Sequence, residues 1–187
     1  VGAQLVNEDG FGTNISGTTD LHPEAISKTV EFIDTYFPQS TVGLIYNAGE
    51  QNSVMQIDLV NEAVKGTTLS TVETTVATTA DVKQAADSLV GRVDVFYIVT
   101  DNTVVSGLSP VIEISQTQKI PLFVGELDSV NAGGFAAFGF NYFDIGYQTG
   151  EMAISVLNGD KKISELAVQY PSELTLVINK SASEKMG

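Results

Sequence analysis

The chain has 187 residues, with 43% hydrophobic and 17% charged side chains, which suits one sizeable globular domain or one domain with part of another and excludes a disordered chain. Its 23 acidic against 9 basic residues give a net charge of −14, which excludes nucleic acid as a partner because binding phosphates needs clustered Lys and Arg. With no cysteine there is no disulfide, thiolate nucleophile or zinc–thiolate site, and no apolar run approaches the ~18–20 residues of a membrane span.

In chain order, residues 1–14 are polar and glycine-containing and read as a loop. Gly10–Phe11–Gly12 has the start of a dinucleotide fingerprint, but Ile15 stands where the third glycine belongs and no strand precedes it. Asp20–Leu21–His22–Pro23–Glu24 reads as a helix entry, with Asp20 as a possible cap, and helical spacing then runs to Pro38. Residues 41–46 form a short apolar strand ending in Asn47–Ala48–Gly49–Glu50–Gln51–Asn52–Ser53, and a second helix follows as far as Gly66. Residues 69–76 are β-branched and alternating, as expected of a strand near a sheet edge, and Thr78–Asp81 opens a third helix.

Residues 93–99 are nearly unbroken apolar sequence, as in a parallel strand covered on both faces, and end abruptly in Thr100–Asp101–Asn102–Thr103. The segment 104–118 has helical length, with Gly107 inside it. Residues 119–124 form another buried strand, ending in Gly125–Glu126–Leu127–Asp128. Four strands alternating with helices define the fold class: α/β, a doubly wound parallel sheet. Beyond it lie a strand-like segment at 135–140, a helix at 144–157 and a last strand at 174–179, which need not share the same layers.

The three central strands end on one carboxyl edge, where open α/β sheets take their ligands. That edge carries Asn47, Glu50, Asn52, Ser53, Asp101, Asn102 and Glu126 and no Lys, Arg or His. Carboxylates would take a ligand ammonium, and helix N–H groups an anion. Asn52, Ser53 and Thr103 read equally well as helix caps, and Asp101 as the cap of a helix that Asn102 begins. Glu126 follows a buried strand with no helix start in view, which favours a site. Catalysis finds little support. The one histidine, His22, precedes a proline, and there is no nucleophile elbow, phosphate loop or metal-spaced cluster, so neither catalytic residue nor metal nor cofactor is expected. A receiver-type phosphoacceptor would need an acidic pair after the first strand and a lysine after the last, and neither is present.

Several blocks together carry a family resemblance. Asn14–Ile15–Ser16–Gly17–Thr18–Thr19–Asp20, Gly43–Leu44–Ile45–Tyr46–Asn47–Ala48–Gly49–Glu50–Gln51–Asn52–Ser53, Val99–Thr100–Asp101–Asn102–Thr103, Pro121–Leu122–Phe123–Val124–Gly125–Glu126 and Tyr142–Phe143–Asp144–Ile145–Gly146–Tyr147–Gln148–Thr149–Gly150 resemble substrate-binding proteins of bacterial ABC importers. The similarity is to the tryptophan/tyrosine type with the type I periplasmic-binding fold. It implies two α/β lobes that close on a ligand and are joined by three crossing segments, with this chain holding one lobe whose strand order is flavodoxin-like. Residues 1–17 would be a crossing segment or remnant of the N-terminal lobe, 18–131 the C-terminal lobe, and 132–187 the return crossing, an N-lobe-type helix and a final crossing strand. A further lobe of roughly a hundred residues would precede Val1 on typical domain sizes. Either the chain is a piece of such a protein or the intact protein is unusually short.

The resemblance implies a non-enzymatic, extracytoplasmic receptor, lipid-anchored or secreted, that delivers an amino acid, expected to be aromatic and tryptophan-like, to a membrane permease. Asn47, Glu50, Asn52, Ser53, Asp101, Asn102 and Glu126 would line one wall, with Asp101 or Glu126 meeting the ammonium, and Asn141 and Tyr142 would lie near the hinge. Glu126→Gln would then weaken binding far more than stability. No aromatic stack for the ligand is legible on this wall. An uncovered apolar face would favour self-association. The alternatives are a ligand-sensing regulatory domain of the same fold, and a small α/β enzyme using strand-end carboxylates.

Overall fold

In the computed structural model, Val6 and residues 9–187 are described. The chain divides into two compact units: Glu24–Gly139 with Thr175–Gly187, and Val1–Pro23 with Phe140–Leu174.

The first unit is built on a six-stranded sheet. Its strands are β1 (Thr41–Tyr46), β2 (Ser70–Thr75), β3 (Val95–Ile98), β4 (Leu122–Val124), β5 (Ala136–Gly139) and β6 (Thr175–Ile178). The order is β2-β1-β3-β4-β5-β6; neighbours pair in parallel as far as β5, and β6 runs antiparallel to it. The order β2-β1-β3-β4-β5 is the flavodoxin-like one, and its direction reverses between β1 and β3. Every residue of β3 is buried because both faces are covered, which is why its sequence loses all alternation. β2, at the edge, keeps an exposed and half-buried pattern.

The helices of this unit are α1 (Ala25–Tyr36), α2 (Gln51–Val64), α3 (Val82–Leu89), α4 (Asn102–Ser106), α5 (Leu108–Gln118), α6 (Leu127–Ala132) and α8 (Lys180–Met186). Val82, Ala86 and Leu89 of α3, Val111 of α5 and Ala182 of α8 bury against Ile45, Phe96, Ile98 and Leu122 of the sheet. On the α1 side, Phe32 packs edge-on to Phe123 at 5.7 Å and to Phe138 at 6.2 Å.

Three expectations change. The first helix does not begin at Asp20 but at Ala25, with Glu24 in the cap position making no cap bond. Pro23 biases His22 away from helical backbone, so the helix forms only beyond it. The segment 104–118 is two helices, broken at Gly107, where a Cβ would lie 2.9 Å from Thr79 Cγ2. The expected boundary at residue 131 cuts off β5, β6 and α8, which belong to the sheet unit. The segment expected to be a final crossing strand contains β6, whose Val177 packs on the sheet's main core. Short strands of this kind hold too few residues for their partner to be read from sequence.

The second unit carries α7 (Tyr142–Leu157), on which Met152 alone is buried. Phe143, Tyr147, Ile154 and Leu157 are exposed, Leu157 at 84%. A parallel bridge joins Thr18 to Gln169, Ser16 Oγ donates to the Leu166 carbonyl at 2.7 Å, and Gln148 Nε2 donates to Gln169 Oε1 at 2.5 Å.

Candidate functional site

The carboxyl ends of β1 and β3 lie side by side at the reversal of strand order, and a hydrogen-bonded network joins them. Asp101 is wholly buried. Its Oδ1 accepts from Val104 N at 2.8 Å, capping α4, and its Oδ2 accepts from Asn47 N at 2.7 Å. The Asn47 side chain closes its own turn, with Oδ1 accepting from Gly49 N at 2.8 Å, and its Nδ2 donates to Thr103 Oγ1 at 2.9 Å. That hydroxyl in turn donates to Glu50 Oε1 at 2.7 Å.

Glu50 occupies the cap position of α2 but makes no side-chain bond to that helix. It reaches across to α4 instead. Oε1 also accepts from Thr103 N at 3.0 Å, and Oε2 accepts from Asn102 N at 3.1 Å and Asn102 Nδ2 at 2.7 Å. Burial pushes the Glu50 carboxyl up, but the hydrogen bonds from Thr103 and Asn102 outweigh it and hold the group below the ordinary glutamate value. A fixed negative charge therefore sits half-exposed between the two loops. The backbone N–H groups of Gln51, Asn52 and Ser53, at the start of α2, find no acceptor among the described residues.

Below this edge α2 grips the end of β3. Asn52 Nδ2 donates to the Thr100 carbonyl at 3.0 Å. Gln56 Nε2 donates to the same carbonyl at 3.3 Å and to Thr100 Oγ1 at 2.5 Å, while Gln56 Oε1 accepts from Thr100 N at 3.2 Å. Asn52 and Ser53 are helical residues, so the reading of them as caps does not hold; Ser53 is fully buried, and its Oγ has no partner.

Glu126 stands apart from the network. It is the cap of α6, a helix start that the sequence reading did not see. Its carboxylate accepts from Asp128 N at 2.7 Å, from Ser129 N at 2.9 Å and from the Ser129 hydroxyl, and only 9% of the residue is exposed. The two carboxylates offered for a ligand ammonium, Asp101 or Glu126, are thus buried and committed to backbone amides. Glu50 also accepts two amides, those of Asn102 and Thr103, but differs in being half-exposed. The apolar Leu127 and Val130 hid so short a helix behind what looked like the tail of a strand.

The structure thus brings Asn47, Glu50, Asn52, Asp101 and Asn102 into one cluster, with Ser53 buried on the same helix end. Asn141 and Tyr142 lie at the start of α7 in the other unit, where Asn141 Oδ1 accepts from Phe143 N at 2.9 Å and Tyr142 stacks edge-on against Phe140 at 5.7 Å. Gln56 went unnoticed in the sequence. Its signal was a polar residue in the inward series Ser53, Gln56, Ile57, Val60, at helical spacing. Among the described residues no group of three or more His, Asp or Glu side chains could hold a metal ion.

A doubly wound sheet with this strand order is the architecture of type I periplasmic-binding-protein folds, to which the chain is structurally similar. The chain belongs to the family of ABC transporter substrate binding proteins, whose family model matches residues 1–187. It is 38% identical over 169 residues to a tyrosine-binding protein of Clostridioides difficile (strain R20291), covering 90% of this chain and 48% of that one. An ABC domain in complex with L-Trp from Streptococcus pneumonia matches with a TM-score of 0.90 at 28% identity, over 99% of this chain and 62% of that one. A conserved domain protein of Vibrio cholerae matches with a TM-score of 0.91 at 34% identity, over 100% and 62%. The chain spans about half the length of the curated relative and 62% of each of these two structures.

Proposed function

We propose that the carboxyl edge at β1 and β3 is one wall of a site for a free amino acid, aromatic in side chain, in an extracytoplasmic receptor that delivers it to an ABC permease. The observation that carries this reading is the pairing of opposite features at one edge. Glu50 presents a fixed negative charge, and the uncapped start of α2 presents free N–H groups. A zwitterion fits both, its ammonium towards Glu50 and Asn102 and its carboxylate towards the N–H groups of Gln51 and Asn52, the residues of that helix start that are not buried. Asn47 and Asn52 complete the wall, Ser53 and Asp101 support it from beneath, and Glu126, as the cap of α6, takes no part in it. The aromatic preference rests on the relatives, one described as tyrosine-binding and one solved with L-Trp. No aromatic ring belongs to this cluster, so side-chain recognition falls to other parts of the polypeptide.

In the same reading α7 belongs to a second lobe, with Asn141 and Tyr142 at the return crossing, and its exposed Phe143, Tyr147, Ile154 and Leu157 pack against further chain of that lobe. The protein acts by binding and closure and catalyses nothing. The test is calorimetric titration of the polypeptide at the full length of its relatives with a panel of amino acids. Submicromolar binding of L-Tyr or L-Trp without turnover supports the receptor. Absence of binding to every amino acid in the panel sinks it.

A further inference from the structure

We propose that Gln56 is a positioning residue that sets the backbone of the ligand-facing loop at Thr100–Thr103; the proposal rests on the amino-acid-binding reading of that edge. Gln56 is 3% exposed and lies on the inward face of α2, among Ser53, Ile57 and Val60. An amide in that place is costly to desolvate unless every polar atom is used. Here its carbonyl and amide nitrogen are both spent on one residue, Thr100, taking in its N–H, its C=O and its hydroxyl. Asn52, one turn earlier, adds a second donor to the same carbonyl. A leucine would fill similar space and leave the core no poorer in apolar contact, so the amide serves backbone placement.

The opposite side of the loop is closed as well. At Gly125 an added Cβ would stand 2.8 Å from Thr100 N and 3.0 Å from Val99 C, so the end of β4 lies flat against this backbone. Thr100 is thereby held between α2 and β4. The next residue, Asp101, fastens Asn47 and Val104, and the one after it, Asn102, is exposed and bonds Glu50. A shift of Thr100 would therefore carry both carboxylates of the network with it. Gln56 touches no ligand in this arrangement; it acts through Thr100.

The test compares Gln56→Leu with Val60→Ala, a fully buried position one turn further along the same face of α2, in the polypeptide at the full length of its relatives. Affinity for L-Tyr and L-Trp is measured by calorimetry, and amide exchange at residues 100–103 by NMR. Gln56→Leu is expected to weaken binding at least about tenfold, the order of a lost buried hydrogen-bond set. It should also speed exchange locally at Thr100. Val60→Ala, at equal or greater loss of stability, should bind within about twofold of the parent, since only the Thr100 clamp is taken to set affinity. Equal affinity in Gln56→Leu and Val60→Ala overturns the proposal. If the parent binds neither amino acid, the receptor reading fails separately. Exchange then decides the clamp: faster exchange confined to residues 100–103 in Gln56→Leu upholds it, and unchanged exchange removes it.

Discussion

Glu126 and Asp101 accept backbone N–H groups at a helix start with nearly all of their surface covered, and a charged cap of this kind contributes about 1–2 kcal/mol. Glu126→Ala is therefore expected to lower unfolding stability by about that amount, read by urea denaturation, and to leave the affinity for L-Tyr or L-Trp within about twofold. The reverse outcome, lost affinity at unchanged stability, would return Glu126 to the ligand. Glu50 differs because its carboxyl is held low while half-exposed. Since the folded state depresses its value, its contribution is complete above the ordinary glutamate value and disappears as pH falls through the lowered one. The stability difference between the parent and Glu50→Gln should accordingly be present at neutral pH and vanish in acid, checked by urea unfolding at both. Tyr97 works in the opposite direction: burial pushes its hydroxyl up to about 12, with its hydrogen-bond contact to Thr29 pulling the other way. The folded state keeps a proton that the unfolded chain gives up, so stability should fall as pH rises from 10.0 towards about 12. Tyr97→Phe should remove that alkaline slope, as read from thermal unfolding across this range.

At the scale of elements, β4 and β3 end in contact so close that Gly125 has no room for a side chain. Gly125→Ala is expected to cost about 1–3 kcal/mol through overpacking and to disturb the same loop that Gln56 holds. Loss of ligand affinity together with stability, by calorimetry and denaturation, checks it. The helix α7 presents the contrary case. It has good helical spacing and one buried residue, so the described residues of its own unit do not account for its apolar face. Legibility in the sequence followed the same division. β3 and α2 were readable because a covered strand and an amphipathic helix impose their periods over many residues. The six-residue α6 and the break at Gly107 were not, since a single cap or a single close approach decides each.

For the molecule as a whole, the strand order β2-β1-β3-β4-β5 gathers two loops distant in the chain at one carboxyl edge. The relatives are longer than this chain, which covers 48% of one and 62% of two others. On the proposed reading the wall described here supplies the polar contacts alone. Residues 1–187 by themselves should then bind L-Tyr or L-Trp at least about a hundredfold more weakly than the polypeptide at the relatives' length, or close to 3 kcal/mol. Equal affinity would contradict the one-wall reading. By itself the sequence determined the α/β class and which strand ends carry polar groups, because burial on both faces and helical spacing write themselves into runs of residues. The order of the strands is set by which of them pair, and that is tertiary. Only the tertiary structure decided what those groups do. Whether a carboxylate is free for a ligand or spent on a neighbouring amide depends on contacts such as Asp101 with Asn47, 54 positions apart in the chain. No local pattern encodes such a pair.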